Sequence, residues 1–178
     1  MAKAITNPNI KQSRNGNVNL KSLNAEELIG LRIEIEKEMH SRSISFSVGE
    51  IGEKIAIDFF KSTPRLSNLI PAAPGAKNVD ALSRNGDRYS IKTIQKGHKT
   101  GTIYPDDQDR DKQLFEYLLI VKLHEDFTLE KLYQFSWKQF LEVRSWDKRM
   151  NAWYVSMSQN NLDKGVCLFN KSGDDSNE

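Results

Sequence analysis

Asp80 and Lys92 are the side chains best spaced for chemistry. They lie in the run Asn78-Val79-Asp80-Ala81-Leu82-Ser83-Arg84-Asn85-Gly86-Asp87-Arg88-Tyr89-Ser90-Ile91-Lys92. Asn85-Gly86 between two apolar segments signals a two-residue hairpin turn, in which both central residues take φ > 0. Folding there predicts strands over 78–82 and 87–95 and brings Lys92 back beside Asp80. A carboxylate and an ammonium on one sheet edge form the minimal set for holding a divalent cation against a phosphodiester and activating a water. The position two before the lysine, where a second acid would strengthen the set, is Ser90.

Strand alternation places Arg88, Ser90, Lys92 and Ile94 on one face, with Tyr89, Ile91, Thr93 and Gln95 on the other. A further acid must come from elsewhere, and the preceding helix offers one. Ser47 caps it, Glu50 stands at the capping-box position, Phe46 can staple to Ile51, and the helix is predicted to run to about Lys61. At 100° per residue Lys54, Asp58 and Lys61 share one side. Glu53 falls among Gly52, Ala56, Ile57 and Phe60, in an apolar arc where a carboxylate needs a cation or hydrogen bonds. Glu50 is read as a cap. Asp80 and Glu53 are then the candidate metal ligands, with the main-chain carbonyl of Ile91 as a third oxygen. Lys92 would orient or deprotonate the attacking water, or offset charge on the phosphorane.

Other elements frame this centre. Asn24 and Glu27 open a first helix, predicted to reach about His40, with Leu28, Leu31, Ile35 and Met39 along one face. The prolines Pro64, Pro71 and Pro74 predict an irregular connection. Phe115 to Leu123 reads as a strand covered on both faces, followed by a strand over 129–135 and a short helix capped by Ser136. Short late strands are expected over 153–157 and 166–169. The helices and strands do not alternate strictly, so the pattern is mixed α/β rather than doubly wound. There is no glycine-rich phosphate loop.

Composition sets the outer limits. The chain has 178 residues and a formal net charge of +2. The charge is uneven: Lys3, Lys11, Arg14 and Lys21 make the start basic, and Asp174, Asp175 and Glu178 make the end acidic. Residues 1–21 are read as a flexible basic arm, 22–169 as a single domain and 170–178 as a disordered acidic tail. No apolar run approaches a membrane span and the start lacks a signal-type apolar region, so a cytoplasmic protein is expected. The single cysteine, Cys167, excludes an internal disulfide and is expected to be buried and inert.

The arrangement resembles the PD-(D/E)XK nuclease superfamily. Gly49-Glu50-Ile51-Gly52-Glu53 is similar to its helix motif, with the glycine four before the acid, so Glu53 is the match. Asp80 matches the first acid of the central hairpin, and Ser90-Ile91-Lys92 the (D/E)XK tripeptide with serine in place of the acid. Gln95 matches a polar residue often kept near such sites. Asn78 to Lys92, Tyr117 to Lys122, Trp146-Asp147-Lys148-Arg149 and Trp153-Tyr154 are similar to the small PvuII-type restriction endonucleases. The order of helix acid, Asp-Ala and Tyr-X-Ile-Lys also resembles a small bacterial group of related domains. The likeness covers roughly 46–157.

It implies a restriction-endonuclease-like mixed β-sheet flanked by helices, and a Mg²⁺-dependent DNA endonuclease of restriction type (Mn²⁺ a possible substitute). Catalytic roles would fall to Glu53, Asp80, Ser90, Lys92 and Gln95. Double-stranded DNA is the expected substrate and a homodimer the expected working form, with the first helix a candidate dimer surface. Lys96, His98, Lys99 and Thr102 in the polar loop 96–112 are candidate DNA contacts, as is Arg149 in a basic-aromatic cluster with Arg144, Lys148, Trp146 and Trp153. The loop's acids, Asp106, Asp107, Asp109 and Asp111, argue against uniform phosphate binding. The rival is a DNA-binding or regulatory module that keeps the fold without cutting. A third option is a structural partner in a larger complex.

Overall fold

A computed structural model describes residues 18–42 and 47–171. Residues 1–17 of the expected arm over 1–21, the Phe46 staple and residues 172–178 of the expected tail over 170–178 lie outside the described residues. The chain divides into two compact units, Met1–Ser45 and Phe46–Glu178.

The first unit contains α1 (Ala25–Ser41) after a 3₁₀ turn over Leu20–Ser22. The expected capping box is present: the Asn24 side chain accepts from Glu27 N–H, and the Glu27 carboxylate accepts from Asn24 N–H. The helix ends within a residue of the expected position, and it buries none of its residues.

The second unit is mixed α/β. Its elements are α2 (Val48–Ser62), β1 (Leu69–Pro71), β2 (Ala81–Ser83), β3 (Arg88–Ile94), β4 (Tyr117–Leu123), β5 (Leu129–Ser136), α3 (Trp137–Val143), β6 (Arg144–Asp147), β7 (Ala152–Val155), α4 (Gln159–Leu162) and β8 (Val166–Asn170). Six strands form one sheet in the order β1-β2-β3-β4-β5-β8, and β6 pairs with β7. Only β3 and β4 run parallel; the other neighbouring pairs are antiparallel.

The sheet is covered on both faces. Ala56, Ile57 and Phe60 of α2 pack on Tyr89, Ile91, Leu119 and Val121. On the other face Phe140 and Val143 of α3 join Ile94, Leu118, Ile120 and Phe135. Leu118 to Val121 of β4 are therefore fully buried, as the continuous apolar run predicts. The capping box at Ser136 and Gln139 is also present.

Three expectations need correction. The hairpin loop has three residues, not two. Ser83 and Asp87 face each other, Gly86 N–H donates to the Ser83 carbonyl at 3.0 Å, and Gly86 alone of the turn residues takes a positive φ, +88°. This is a type I turn closed by a left-handed glycine. The carboxylate of Asp87 accepts from the Ser83 hydroxyl, and that hydroxyl accepts from the N–H of Asn85 and Asp87, which stabilises the longer loop. Second, Cys167 is exposed, because β8 is the sheet's outer strand. Third, the segment 96–112 is not a free polar loop. Two parallel strands require a long crossover, and this one lies along β7. Thr100 N–H donates to Val155 at 2.9 Å, Ile103 exchanges two 2.8 Å main-chain bonds with Trp153, and Ile103 is fully buried.

Candidate active site

The site forms where β2 stops and β3 continues. Asp80 stands just before β2, its N–H donating to the Tyr89 carbonyl at 2.8 Å. Ala81 is the register partner of Tyr89, so Asp80 and Ala81 both face Tyr89 and the regular pairing ends there. Ile91 N–H, which has no β2 residue left to meet, donates to Asp80 Oδ2 at 2.6 Å. Ser90 Oγ donates to the same oxygen at 3.3 Å, and Lys92 Nζ lies 3.6 Å from it. The carbonyl of Ile91 points to the same side as its N–H, beyond the end of β2.

β3 is anchored at its start. Arg88 forks onto the Glu116 carboxylate at 2.8 and 3.1 Å, while its own N–H donates there at 2.6 Å. The hydrogen bond to Arg88 holds Glu116 below the usual carboxylate range.

Helix α2 brings the second acid. Ser47 caps it, its hydroxyl accepting from Glu50 N–H and donating to the Glu50 carboxylate. Lys54 and Asp58 pair on the outer side at 2.5 Å. The helix approaches β3 so closely that a Cβ at Gly52 would lie 2.7 Å from Thr93 Cβ. The sequence motif singled out Gly49; the position that must be glycine is Gly52. This approach lowers Glu53, half-buried, into a cleft of about 290 Å³ shared with Asp80, Glu50, Lys61 and Pro71. Burial pushes the Glu53 carboxyl above its ordinary range, the charge of Asp80 pushes it further, Lys92 opposes, and Glu50 adds to the rise. Glu53, Asp80 and Lys92 are thus in mutual electrostatic contact.

That rise tests whether a divalent cation suits the site. Two carboxylates that disfavour each other's charge are relieved by a cation between them. Among the described residues no three His, Cys, Asp or Glu side chains gather as a metal cluster. A cation here would take two carboxylates, the Ile91 carbonyl and waters, which suits Mg²⁺.

Gln95 is drawn elsewhere. Its amide donates to the carbonyls of His124 and Glu125 at 3.2 Å each, tying the end of β3 to the turn after β4. It lines a second, open groove of about 600 Å³ together with Thr93, Lys96, His98, Lys99 and Thr100. The structure therefore gathers three of the candidate DNA contacts in one groove at the C-terminal end of β3. Lys96 pairs with Glu125 at 3.3 Å. Lys99 pairs with Asp147 at 3.2 Å and covers the Tyr154 ring at 4.7 Å. His98 is exposed, and Thr102 is half-buried outside the groove lining.

Arg149 is exposed on the turn between β6 and β7, where its N–H donates to Asp147 at 3.0 Å. Arg144 is not a free cation: it lies over Trp153 at 4.1 Å and bonds Asp111 at 2.7 Å. The sequence reading missed Pro71 as a cleft residue and Tyr154 and Asp147 as partners of Lys99. Only the register of β1 and β7 brings them there, and neither strand's partner is written locally.

No family model matches the chain, and no curated protein matches it.

Proposed function

We propose that the protein is a metal-dependent DNA endonuclease on a restriction-endonuclease-like fold. The observation that carries this reading is Asp80, fixed by Ser90 and Ile91 and 3.6 Å from Lys92, sharing a cleft with Glu53. The Asp-hairpin-Lys order, the parallel strand that follows, and the acid on the helix over the sheet support it.

Asp80 and Glu53 would hold Mg²⁺, or Mn²⁺ in its place, with the Ile91 carbonyl beside them. Such an ion supplies a more acidic bound water and neutralises phosphate charge. Lys92 stands beside Asp80, its ammonium 3.6 Å from Oδ2. It orients the attacking water and offsets charge that grows on the phosphorane oxygens. Lys96, His98, Lys99 and, further out, Thr102 and Arg149 contact the DNA backbone or bases. Cutting both strands needs two such sites, so a homodimer is the working form. Gln95 has no catalytic part, its amide being held by the turn.

The rival is a DNA-binding module without cleavage. Ser90 favours it, since serine replaces an acid of the motif. Supercoiled plasmid with purified protein and Mg²⁺ or Mn²⁺ separates the two. Cleavage lost with EDTA, Lys92→Ala and Glu53→Ala supports the endonuclease. Cleavage that survives Glu53→Ala removes Glu53 as a ligand. Plasmid binding with no cleavage supports the module.

A further inference from the structure

Ser90 is the residue that the nuclease reading leaves without a part. It is fully buried, in mid-strand, beside the Asp80 carboxylate. Its register partner across the parallel pair, Leu118, is fully buried too. A side chain in that position does not face the cleft, so it offers no surface to a cation. Its hydroxyl donates to Asp80 Oδ2, the oxygen that Ile91 N–H already meets at 2.6 Å and that Lys92 approaches at 3.6 Å. Two hydrogen-bond donors meet one carboxylate oxygen, and the Lys92 ammonium forms an ion pair with the same atom. Among the described residues none hydrogen-bonds the other, Oδ1.

From this we infer that Ser90 is a positioning residue: with Ile91 N–H it locks Asp80 so that Oδ1 alone is presented to a divalent cation in the cleft. The inference rests on the metal-site reading above, but not on cleavage. It reverses the meaning of the serine. Position 90 is not an empty ligand position, because an acid there would be buried against Asp80 and neighbouring apolar side chains. Two carboxylates so placed disfavour each other's charge, and burial penalises both. A hydroxyl in the same place donates to Asp80 and carries no charge. Groups that hold a metal-binding carboxylate in orientation commonly matter about as much as the binding itself, with losses of about 10- to 100-fold when removed.

The test is Mn²⁺ binding to the full chain by titration calorimetry, with circular dichroism confirming that each variant is folded. Ser90→Ala is expected to weaken Mn²⁺ about tenfold. Ser90→Thr keeps the hydroxyl on a residue suited to a strand, and it is expected to bind like the wild type. Ser90→Asp is expected to bind more weakly than the wild type. Three outcomes would overturn the inference: Ser90→Ala binding as well as the wild type, folded Ser90→Thr losing as much as Ser90→Ala, or Ser90→Asp binding more tightly. The last would mean that position 90 reaches the cation after all. A wild-type chain that binds no Mn²⁺ overturns both this inference and the metal-site reading. Mn²⁺ binding that follows the expected order, on a protein that cuts no DNA, leaves the inference standing and removes only the nuclease.

Discussion

The middle of β3 and the segment that follows it are built on opposite principles. Beside Asp80 the charges are half-buried, Glu53 and Asp80 share one cleft, and the fold itself holds the Asp80 carboxylate. In the segment after β3 the candidate DNA contacts include exposed lysines, each already paired with one acid: Lys96 with Glu125 and Lys99 with Asp147. The first arrangement is costly to the folded state and persists because backbone and neighbours over-determine it. The second costs little, since exposed pairs contribute about 0–1 kcal/mol, and a phosphate can take the acid's place. Two half-buried carboxylates sharing one cleft suit a site that waits for a cation. A set of exchangeable surface pairs suits a face that meets a polyanion.

The strongest way to break this contrast is at Lys92. Lys92→Ala is expected to lower plasmid cleavage by about 10³-fold while leaving plasmid binding within a few-fold. Gel electrophoresis of supercoiled substrate measures the first and a mobility shift the second. Equal losses in both would mean that Lys92 is a binding residue like those of the groove, and the two regions would no longer differ in kind.

Next in size is the contact that lowers Glu53 into place. Gly52→Ala puts a methyl group into the Thr93 side chain, whose own Cβ stands 2.7 Å from the new atom. α2 must shift away from β3. We expect a loss of roughly 2 kcal/mol in urea unfolding. Thr93→Ala in the same chain should restore part of it, because two of the three clashing atoms are removed. The same substitution at Gly49 meets only Ser47 Oγ at 3.9 Å and should be far milder.

That pair of glycines shows how far the sequence could be read. The acid on the helix, the Asp-hairpin-Lys order, both capping boxes and the doubly covered β4 are local signals: spacing, turn residues and periodicity determine them. The choice between Gly49 and Gly52 depends on where a helix touches a strand some forty residues away, which no local pattern records. The same holds for the crossover 96–112. Its Gly, Asp and Lys content reads as an exposed loop, yet Ile103 is drawn into the core because parallel pairing of β3 and β4 forces the chain to travel past β7. Cys167 departs from its expected burial for a like reason. Val-Cys-Leu-Phe looks like a buried strand, but strand order made it an edge. The hairpin itself was found while its turn was not, since Asn-Gly serves a two-residue loop as well as a three-residue one and the Ser83 hydroxyl decides between them.

A smaller effect sharpens the electrostatic half of the contrast. Burial and Asp80 hold the Glu53 proton to a higher pH in the folded protein than in the unfolded chain. Between the ordinary glutamate value and the raised one, the native state binds more protons. Its stability therefore falls as pH rises through that window and is level above it. Glu53→Gln removes the slope, so the urea midpoint of the variant should draw ahead of the wild type across the window. Parallel curves for the two proteins would show that Glu53 is not in a crowded negative cleft. Mn²⁺ added to the wild type should recover stability above the window, because it favours the charged carboxylates.

The smallest expected effect lies at the groove. Lys99→Ala removes one phosphate contact and frees Asp147, whose carboxyl is held below its usual range by Met150 N–H and by Lys99. Protein stability should change by less than about 1 kcal/mol, since the lysine is exposed and Asp147 keeps its bonds to the N–H groups of Arg149 and Met150. DNA affinity should fall about equally for all sequences, and the slope of log K against log salt should drop by about one. Lys96→Ala should do the same, and the two together should reduce the slope by about two. The alternative is as clear. A Lys99 variant with an unchanged salt slope would mean that the ion pair with Asp147 and the Tyr154 ring hold the lysine against β7 as part of the crossover's packing. DNA would then have to be sought along Arg149 and the turn after β6, which follows Asp147 directly.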